Sequence, residues 1–202
     1  MDDIRFDETK DMVRYWASLG GGSHAPLRAD VSPRDIVKLL PRVFIIANDD
    51  GVWKFRLAGT EFYVFYGREM TGQSFSSIWG GDFAAVSDGL DAAAAARLPL
   101  VVSSDAWTMD GVVEVETAIL PLRSTSDNAE VDRFIGLQTF KSAKPMLLSG
   151  LPFVQASVNS TAVVGEKERA SLAQARGRIV PAMKLGERPD ASIRAVENQV
   201  SA

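Results

Sequence analysis

The sequence has 202 residues, of which 46% are hydrophobic and 24% are charged, and its net charge is −4. This composition is that of one globular domain with extensions, and the acidic balance argues against nucleic acid as a partner, because phosphate binding needs a basic face. The absence of cysteine excludes disulfides, thiolate metal sites and cysteine nucleophiles, and a single histidine excludes a multi-histidine zinc site.

The chain shows no signal of a membrane protein or a secreted one. No apolar run reaches the length of a membrane-spanning helix. The N-terminal segment MDDIRFDETKD is acidic and lacks the basic and apolar regions of a signal peptide. The sequence therefore predicts a cytoplasmic protein.

Two helices are predicted at the N-terminal end. Residues 6–19 form the first, because apolar residues recur at helical spacing before the glycines at 20–22. A second, short helix is predicted in SPRDIVKLLP, with Ser32 as N-cap, Pro33 at the first helical position and Pro41 at its end. The apolar residues of the first helix are Met12, Val13, Trp16 and Leu19.

Two strands and a helical segment follow. Residues 43–47 are continuously apolar, and 53–57 alternate apolar and charged side chains after an Asp-Gly turn, so an antiparallel pair is predicted. The next pieces are helical: about 60–66, about 75–79 with Ser74 as a cap, and about 82–97 with Asp82 as N-cap.

Three further strands close the predicted domain, near 99–108, 112–122 and 133–141. Glu114 and Glu116 share one face of the middle strand, which we expect to be exposed to solvent. Strands grouped on both sides of a helical insert predict an α+β domain with one antiparallel sheet, since no strand–helix–strand alternation repeats.

Two segments resemble a family of PAS domain proteins common in alphaproteobacteria. One is RADVSPRDIVKLLPRVFII, which follows the tryptophan of the first helix, Trp16. The other is WKFRLAGTEFYVFYGREMTGQSFSSIW, in which Arg56–Thr60 and Gly67–Gly72 carry the spaced glycines of the family motif. The resemblance covers roughly residues 5–145.

The resemblance implies a PAS fold: a five-stranded antiparallel sheet covered on one face by short helices, with an N-terminal helix. It divides the chain into an N-terminal helix and linker (1–30), a PAS domain (31–145) and a polar C-terminal extension (146–202). The extension is predicted to be flexible beyond about 165, because it lacks an apolar stripe.

The aromatic residues at 62–66 cannot all face one side of so short a helix. They are expected to divide between the core, a ligand pocket and a protein-contact surface. A mostly apolar cavity of a few hundred cubic ångströms is predicted between the helices and the sheet. The candidates for its lining are Arg56, Thr60, Tyr63, Tyr66, Trp79, Phe83 and Trp107.

The resemblance predicts a non-enzymatic, bacterial signalling module that acts by protein–protein association, as a homodimer or with other partners. Control by a small ligand in the cavity is one form of this prediction, and a sensor with an obligatory bound ligand is the alternative. No output domain is expected after the PAS domain. The candidate partner and dimer surface comprises Met12, Val13, Trp16, Glu114 and Glu116.

The remaining alternative is a small enzyme that uses cavity acids, for which Asp82, Asp88 and Asp91 are the candidates. Their spacing favours a solvated helix face, so no catalytic or metal-binding residue is predicted. Flavin photochemistry of the cysteinyl type needs a cysteine, which the chain lacks. Haem ligation is not expected either, because His24 precedes the sheet. The expected cofactor is none, or an unknown small ligand.

Overall fold

A computed structural model of the chain describes residues 4–20, 24–108, 111–127, 130–140, 153 and 155–165. The predicted flexible tail beyond 165 lies outside the described residues. In the described ranges the helices are α1 (Asp7–Leu19), α2 (Thr60–Tyr66) and α3 (Phe83–Ala96). The strands are β1 (Val43–Asp49), β2 (Val52–Ala58), β3 (Leu100–Thr108), β4 (Gly111–Leu122), β5 (Arg133–Phe140) and β6 (Gln155–Val163). Short 3-10 turns lie at Arg28–Asp30, Pro33–Ile36, Leu40–Arg42, Phe75–Ile78 and Gly80–Asp82.

The strands of the described ranges form one antiparallel sheet in the order β2-β1-β5-β4-β3-β6. Five strands were predicted, and the sixth is β6, which comes from the predicted C-terminal extension and pairs with β3. In β6 the pairing register shifts opposite Ser103 and Ser104 and leaves Asn159 unpaired. Because this interrupts the alternation of faces, the apolar–polar pattern that would predict a strand is weak.

The predicted helix at 33–41 is instead a pair of 3-10 turns, Pro33–Ile36 and Leu40–Arg42. Pro41 explains the break, since proline lacks an N–H group and its ring crowds the preceding turn. Ser32 makes no capping hydrogen bond, so its predicted N-cap role is wrong. The predicted cap at Ser74 is confirmed, because its side chain accepts a hydrogen bond from the Ser76 N–H.

Both faces of the sheet are covered: the short helices lie on one face, as predicted, and α1 lies on the other. We call the face under α1 the outer face and the face under α2, α3 and the turns between them the inner face. On α1, the side chains of Met12, Val13 and Trp16 are buried against the outer face, and the Trp16 indole N–H donates to the Pro121 carbonyl at 2.8 Å. The sheet contributes Val43, Ile45, Val101, Ala118, Leu120, Leu122, Ile135 and Leu137 to this packing.

The inner face is filled by four fully buried phenylalanines, Phe44, Phe55, Phe62 and Phe75, which we call the aromatic cluster. Their ring centroids lie 5.4–6.1 Å apart, mostly edge to face, which is the favoured packing of aromatic rings. Gly136 on β5 makes room for this cluster, because a Cβ there would lie 2.0 Å from the Phe44 ring.

The two segments singled out in the sequence meet in the fold. Gly59, just before α2, packs so closely on the Leu40–Arg42 turn that a Cβ would lie 2.3 Å from the carbonyl oxygens of Leu40 and Pro41. Gly67 ends α2 with a φ of 64°, and Gly72, with a φ of 84°, returns the chain to β2, where its N–H donates to the Phe55 carbonyl at 2.8 Å. These glycines therefore serve as a close contact and two bends.

Candidate functional site

A cleft of about 290 Å³ opens at the side of the helices that cover the inner face. We call it the side cleft. It lies between the end of α2, the turns that follow it, and the start of β6, so it combines the predicted PAS domain with the C-terminal extension. Its lining consists of Tyr66, Arg68, Ser77, Ile78, Gly80, Phe153 and Ala156.

Tyr66 joins the side cleft to the sheet. Its ring lies 5.9 Å from that of Phe62 and 5.6 Å from that of Phe153, and its hydroxyl donates to Gln138 Oε1 at 3.0 Å. Burial raises the pKa of Tyr66, and the hydrogen bond to Gln138 offsets this only in part. The hydroxyl therefore stays protonated at physiological pH. Gln138 is itself buried, and its Nε2 donates to Thr117 Oγ1 at 3.4 Å.

Arg68 brings a positive charge to the side cleft. The residue is exposed, and its Nη2 donates to the Ser77 carbonyl at 3.4 Å, near the upper limit for a hydrogen bond. Among the described residues it forms no ion pair, in contrast to Arg5, Arg42 and Arg133. Most of its donors therefore have no acceptor among the described residues.

Trp79 is buried beside the aromatic cluster, with its ring centroid 5.7 Å from that of Phe75. Its indole N–H has no hydrogen-bond acceptor among the described residues. Since a buried donor without a partner costs about 1–3 kcal/mol, this group is a place where a water or a ligand atom would be stabilising. In sequence it stands between two residues of the side cleft, Ile78 and Gly80.

The structure does not gather the predicted lining residues into one cavity. Thr60 and Tyr63 line a different surface cleft of about 330 Å³, and Tyr63 is 61% exposed. Arg56 is exposed, and its Nη2 lies 3.5 Å from Asp49 Oδ2. Phe83 is half-buried against the inner-face core, and Trp107 is 51% exposed, on the outer face. Of the predicted residues, Tyr66 alone appears in the lining described for the side cleft.

The predicted partner surface also differs from expectation. Met12, Val13 and Trp16 are buried within their own chain, so a partner reaches them only if α1 leaves the sheet. The expectation of a solvated face is wrong for Glu116, which is 1% exposed, while the Glu114 side chain is 40% exposed. The reason is that α1 begins directly above Glu116. The role of these residues in association stays a prediction.

Glu116 holds the start of α1. Its Oε2 accepts the Arg5 N–H at 2.7 Å and its Oε1 accepts the Phe6 N–H at 3.1 Å, so one carboxylate satisfies two backbone donors at a helix N-terminus. The Arg5 side chain extends the group, with Nη1 2.9 Å from Glu114 Oε1 and a hydrogen bond from Nη2 to Ser103 Oγ. We call Arg5, Ser103, Glu114 and Glu116 the α1 anchor.

Asp82 has a different role from the predicted N-cap. Its side chain makes no capping bond to α3, and its Oδ2 instead accepts the Val158 N–H of β6 at 2.8 Å. The predicted cap is therefore wrong, because tertiary contact with β6 takes the carboxylate. Neither this link nor the partners Gln138 and Phe153 were found in the sequence, since each depends on strands far apart in the chain.

These features define an α+β domain whose single antiparallel sheet carries an N-terminal helix on one face and a helical insert on the other. The chain belongs to the PAS domain family, whose model matches residues 4–139. This confirms the resemblance and the fold class. Domains of this class are generally sensory modules without enzymatic activity.

Solved structures of similar fold have low sequence identity to the chain. A light-oxygen-voltage domain studied with a flavin analogue has 15% identity and a TM-score of 0.43, over 57% of this chain and 87% of that one. The light-oxygen-voltage protein of Rhodobacter sphaeroides has 13% identity and a TM-score of 0.42, over 84% and 93%. A PAS domain from Colwellia psychrerythraea has 14% identity and a TM-score of 0.37, over 55% and 98%.

No curated protein sequence matches the chain. None of the helices in the described ranges has the length and hydrophobicity needed to cross a bilayer. Across those same ranges, no group of three or more acidic or histidine side chains is placed to hold a metal ion.

Proposed function

We propose that this protein is a non-enzymatic PAS signalling module that acts by associating with other proteins in the cytoplasm, including a second copy of itself. One observation carries the proposal: the apolar outer face of the sheet is covered by the chain's own α1, and the two residues before it, Arg5 and Phe6, donate their backbone N–H groups to one buried carboxylate, Glu116. Release of α1 would expose both the sheet face and the apolar side of the helix. Large exposed apolar surfaces of this kind favour association.

The strands offer a physical route between the two faces. Successive residues of a strand point to opposite faces, so Gln138, which meets Tyr66 on the inner face, is followed by Thr139 on the outer face. The Thr139 hydroxyl donates to the Glu116 carbonyl at 3.0 Å and lies 2.9 Å from the Thr9 hydroxyl of α1. A change at the inner face therefore reaches the α1 anchor through adjacent positions of β5.

The acids of the enzyme alternative support a non-catalytic role. The Asp82 carboxylate already accepts a hydrogen bond from the Val158 N–H, and Asp88 and Asp91 are exposed on α3. Control by a small ligand is part of this proposal.

The test is to fasten α1 to the sheet. Thr9 and Thr139 are buried with their hydroxyl oxygens 2.9 Å apart, so Thr9→Cys with Thr139→Cys places two thiols within reach of a disulfide, in a chain that has no other cysteine. We expect the oxidised variant to lose both self-association, measured by light scattering, and partner capture from the native host. Reduction should restore both.

The reduced double variant is the matched control, because it carries the same substitutions without the crosslink. The single variant Thr9→Cys controls for oxidation elsewhere. Equal association of the oxidised and reduced forms would show that α1 does not have to move, and would overturn the proposed mechanism.

A further inference from the structure

We propose that the side cleft binds a small aromatic carboxylate. The inference deepens the proposed function by naming a class of ligand for it, and it rests on that function only for its biological meaning, since binding is measured separately. Ala156 and Phe153 of the lining come after the PAS match ends at residue 139, so the site is created by the C-terminal extension.

The walls of the cleft suit a flat apolar body. The rings of Tyr66 and Phe153 lie 5.6 Å apart at an interplanar angle of 83°, so they form a right-angled aromatic corner, and Ile78 adds an aliphatic side chain to the lining. One face of each ring is already covered, that of Tyr66 by Phe62 and that of Phe153 by Phe65, so a single aromatic ring in the corner would stack on the second face of one ring while its edge meets the other. Both are favoured geometries for aromatic pairs.

The polar groups suit an anion. Arg68 carries a guanidinium with no carboxylate partner among the described residues, and a carboxylate is the group that guanidinium binds in bidentate fashion. The Tyr66 hydroxyl is already committed to Gln138 and stays protonated, so it adds no competing negative charge. A neutral ring would fill the same walls but leave Arg68 without a carboxylate partner among the described residues.

The size of the cleft limits the ligand. A volume of about 290 Å³ is at the lower end of small-molecule sites, which span roughly 300–1,000 Å³. The inner-face space that could have enlarged it is taken by the aromatic cluster. A one-ring acid therefore fits better than a multi-ring cofactor.

Binding would act on the rest of the fold through Tyr66. A ring packed on Tyr66 presses on the same side chain that hydrogen-bonds Gln138 of β5, and Gln138 stands beside Thr139 under α1. The effect of the ligand is therefore expected on β5.

The experiment titrates the full-length, isotope-labelled protein with benzoate, phenylacetate and 4-hydroxybenzoate, followed by amide chemical shifts. Benzamide is the neutral counterpart with the same ring. We expect at least one acid to bind with a Kd below about 1 mM, with shifts clustered at residues 66–68, 77–80 and 153–156. Arg68→Gln should weaken that binding by about tenfold or more, and benzamide should bind the wild type as weakly as the acid binds the variant.

Arg34→Gln is the matched control, since Arg34 is another exposed arginine without an ion pair in the described residues, and it should bind like the wild type. No binding of any acid up to about 10 mM would overturn the inference. So would binding that ignores the Arg68 substitution, or shifts that map away from the cleft. If these tests fail while the α1 crosslink still blocks association, the ligand class is wrong and the association function stands. If acid binding depends on Arg68 as expected while the crosslink has no effect on association, the ligand class stands and the proposed association mechanism is wrong.

Discussion

Gly59 shows how one residue can be required by backbone contact alone. Its α-carbon faces the carbonyl oxygens of Leu40 and Pro41, and an added methyl group would lie 2.3 Å from both. Backbone atoms cannot rotate away as a side chain can. The glycine of the RLAGT segment is therefore explained by its contact with the LLPR segment, which the sequence placed about 20 residues earlier.

We predict that Gly59→Ala destabilises the fold by about 3 kcal/mol or more, because the turn at Leu40–Arg42 must shift to admit the methyl group. Urea denaturation of the purified variant measures the change in the free energy of unfolding. Gly81→Ala is the control, since nothing lies within 4 Å of a Cβ there, and it should change stability by no more than about 1 kcal/mol. Similar losses in both variants would contradict the contact argument.

Glu116 and Glu114 show that identical residues at alternate positions can have opposite surroundings. Both lie on the outer face of β4, but Glu116 is under the start of α1 and accepts two backbone N–H groups, whereas Glu114 is at the margin and pairs with Arg5. Side-chain periodicity predicts the shared face correctly. It cannot predict where a helix from the far end of the chain begins.

We predict that Glu116→Gln costs about 2 kcal/mol of unfolding free energy, because an amide has a single acceptor oxygen and its NH₂ group would face one of the two backbone donors. Glu114→Gln, half-exposed and at the rim, should cost less than about 1 kcal/mol. Chemical denaturation at neutral pH compares the pair. A larger loss for Glu114→Gln would mean that the rim ion pair, rather than the buried carboxylate, holds α1.

At the level of whole elements, β6 is the addition that the sequence concealed. Its nine residues lack the regular alternation of a half-buried strand, and the unpaired Asn159 divides them. The strand is nevertheless paired along β3 and tied to the helical insert just before α3 by Asp82. The segment is thus part of the sheet and a wall of the side cleft.

We predict that Asp82→Ala lowers the hydrogen-exchange protection of the β6 amides by about tenfold, because the Val158 N–H loses its acceptor and the strand opens more often. Protection on β1 and β5, at the other side of the sheet, should change little. Mass spectrometry of exchange in the native protein follows each segment. Asp91→Ala, which removes an exposed carboxylate from α3, is the control and should leave β6 unchanged.

The aromatic stretch after β2 divides as its helical period requires. Phe62 and Phe65 are buried, Tyr63 is exposed, and Tyr66 meets the side cleft and Gln138. The prediction that these rings separate into core and other surroundings is confirmed. Tyr66, rather than Tyr63, lines the side cleft because its ring packs against Phe153. Phe153 lies 87 residues further along the chain, and no local pattern specifies that contact.

At the level of the whole molecule, the sheet is an apolar layer with a cover on each side. The inner cover is continuous with the strands, whereas the outer cover, α1, reaches the sheet across a linker and is held at its start by the α1 anchor. This asymmetry is why we assign association to the outer face. It also makes α1 the element whose removal should change the behaviour of the protein most.

We predict that a variant lacking residues 1–19 keeps its strands, as judged by far-ultraviolet circular dichroism, but binds the dye ANS and self-associates in light scattering. The reason is that the outer-face residues of the sheet lose their cover and present an apolar surface to water. Asp11→Ala, on the exposed side of α1, should do neither. A folded, monomeric truncation that binds no dye would contradict this account of the outer face.

The order of helices and strands, the α+β class and the family were accessible from the sequence, because hydrophobic period, proline and glycine act over a few neighbouring residues. The sixth strand, the burial of Glu116, the link from Asp82 to β6 and the corner formed by Tyr66 with Phe153 were not. Each of these joins residues more than 45 positions apart or depends on where α1 comes to rest. Local patterns specify which face a side chain takes, and only packing in three dimensions specifies what covers that face.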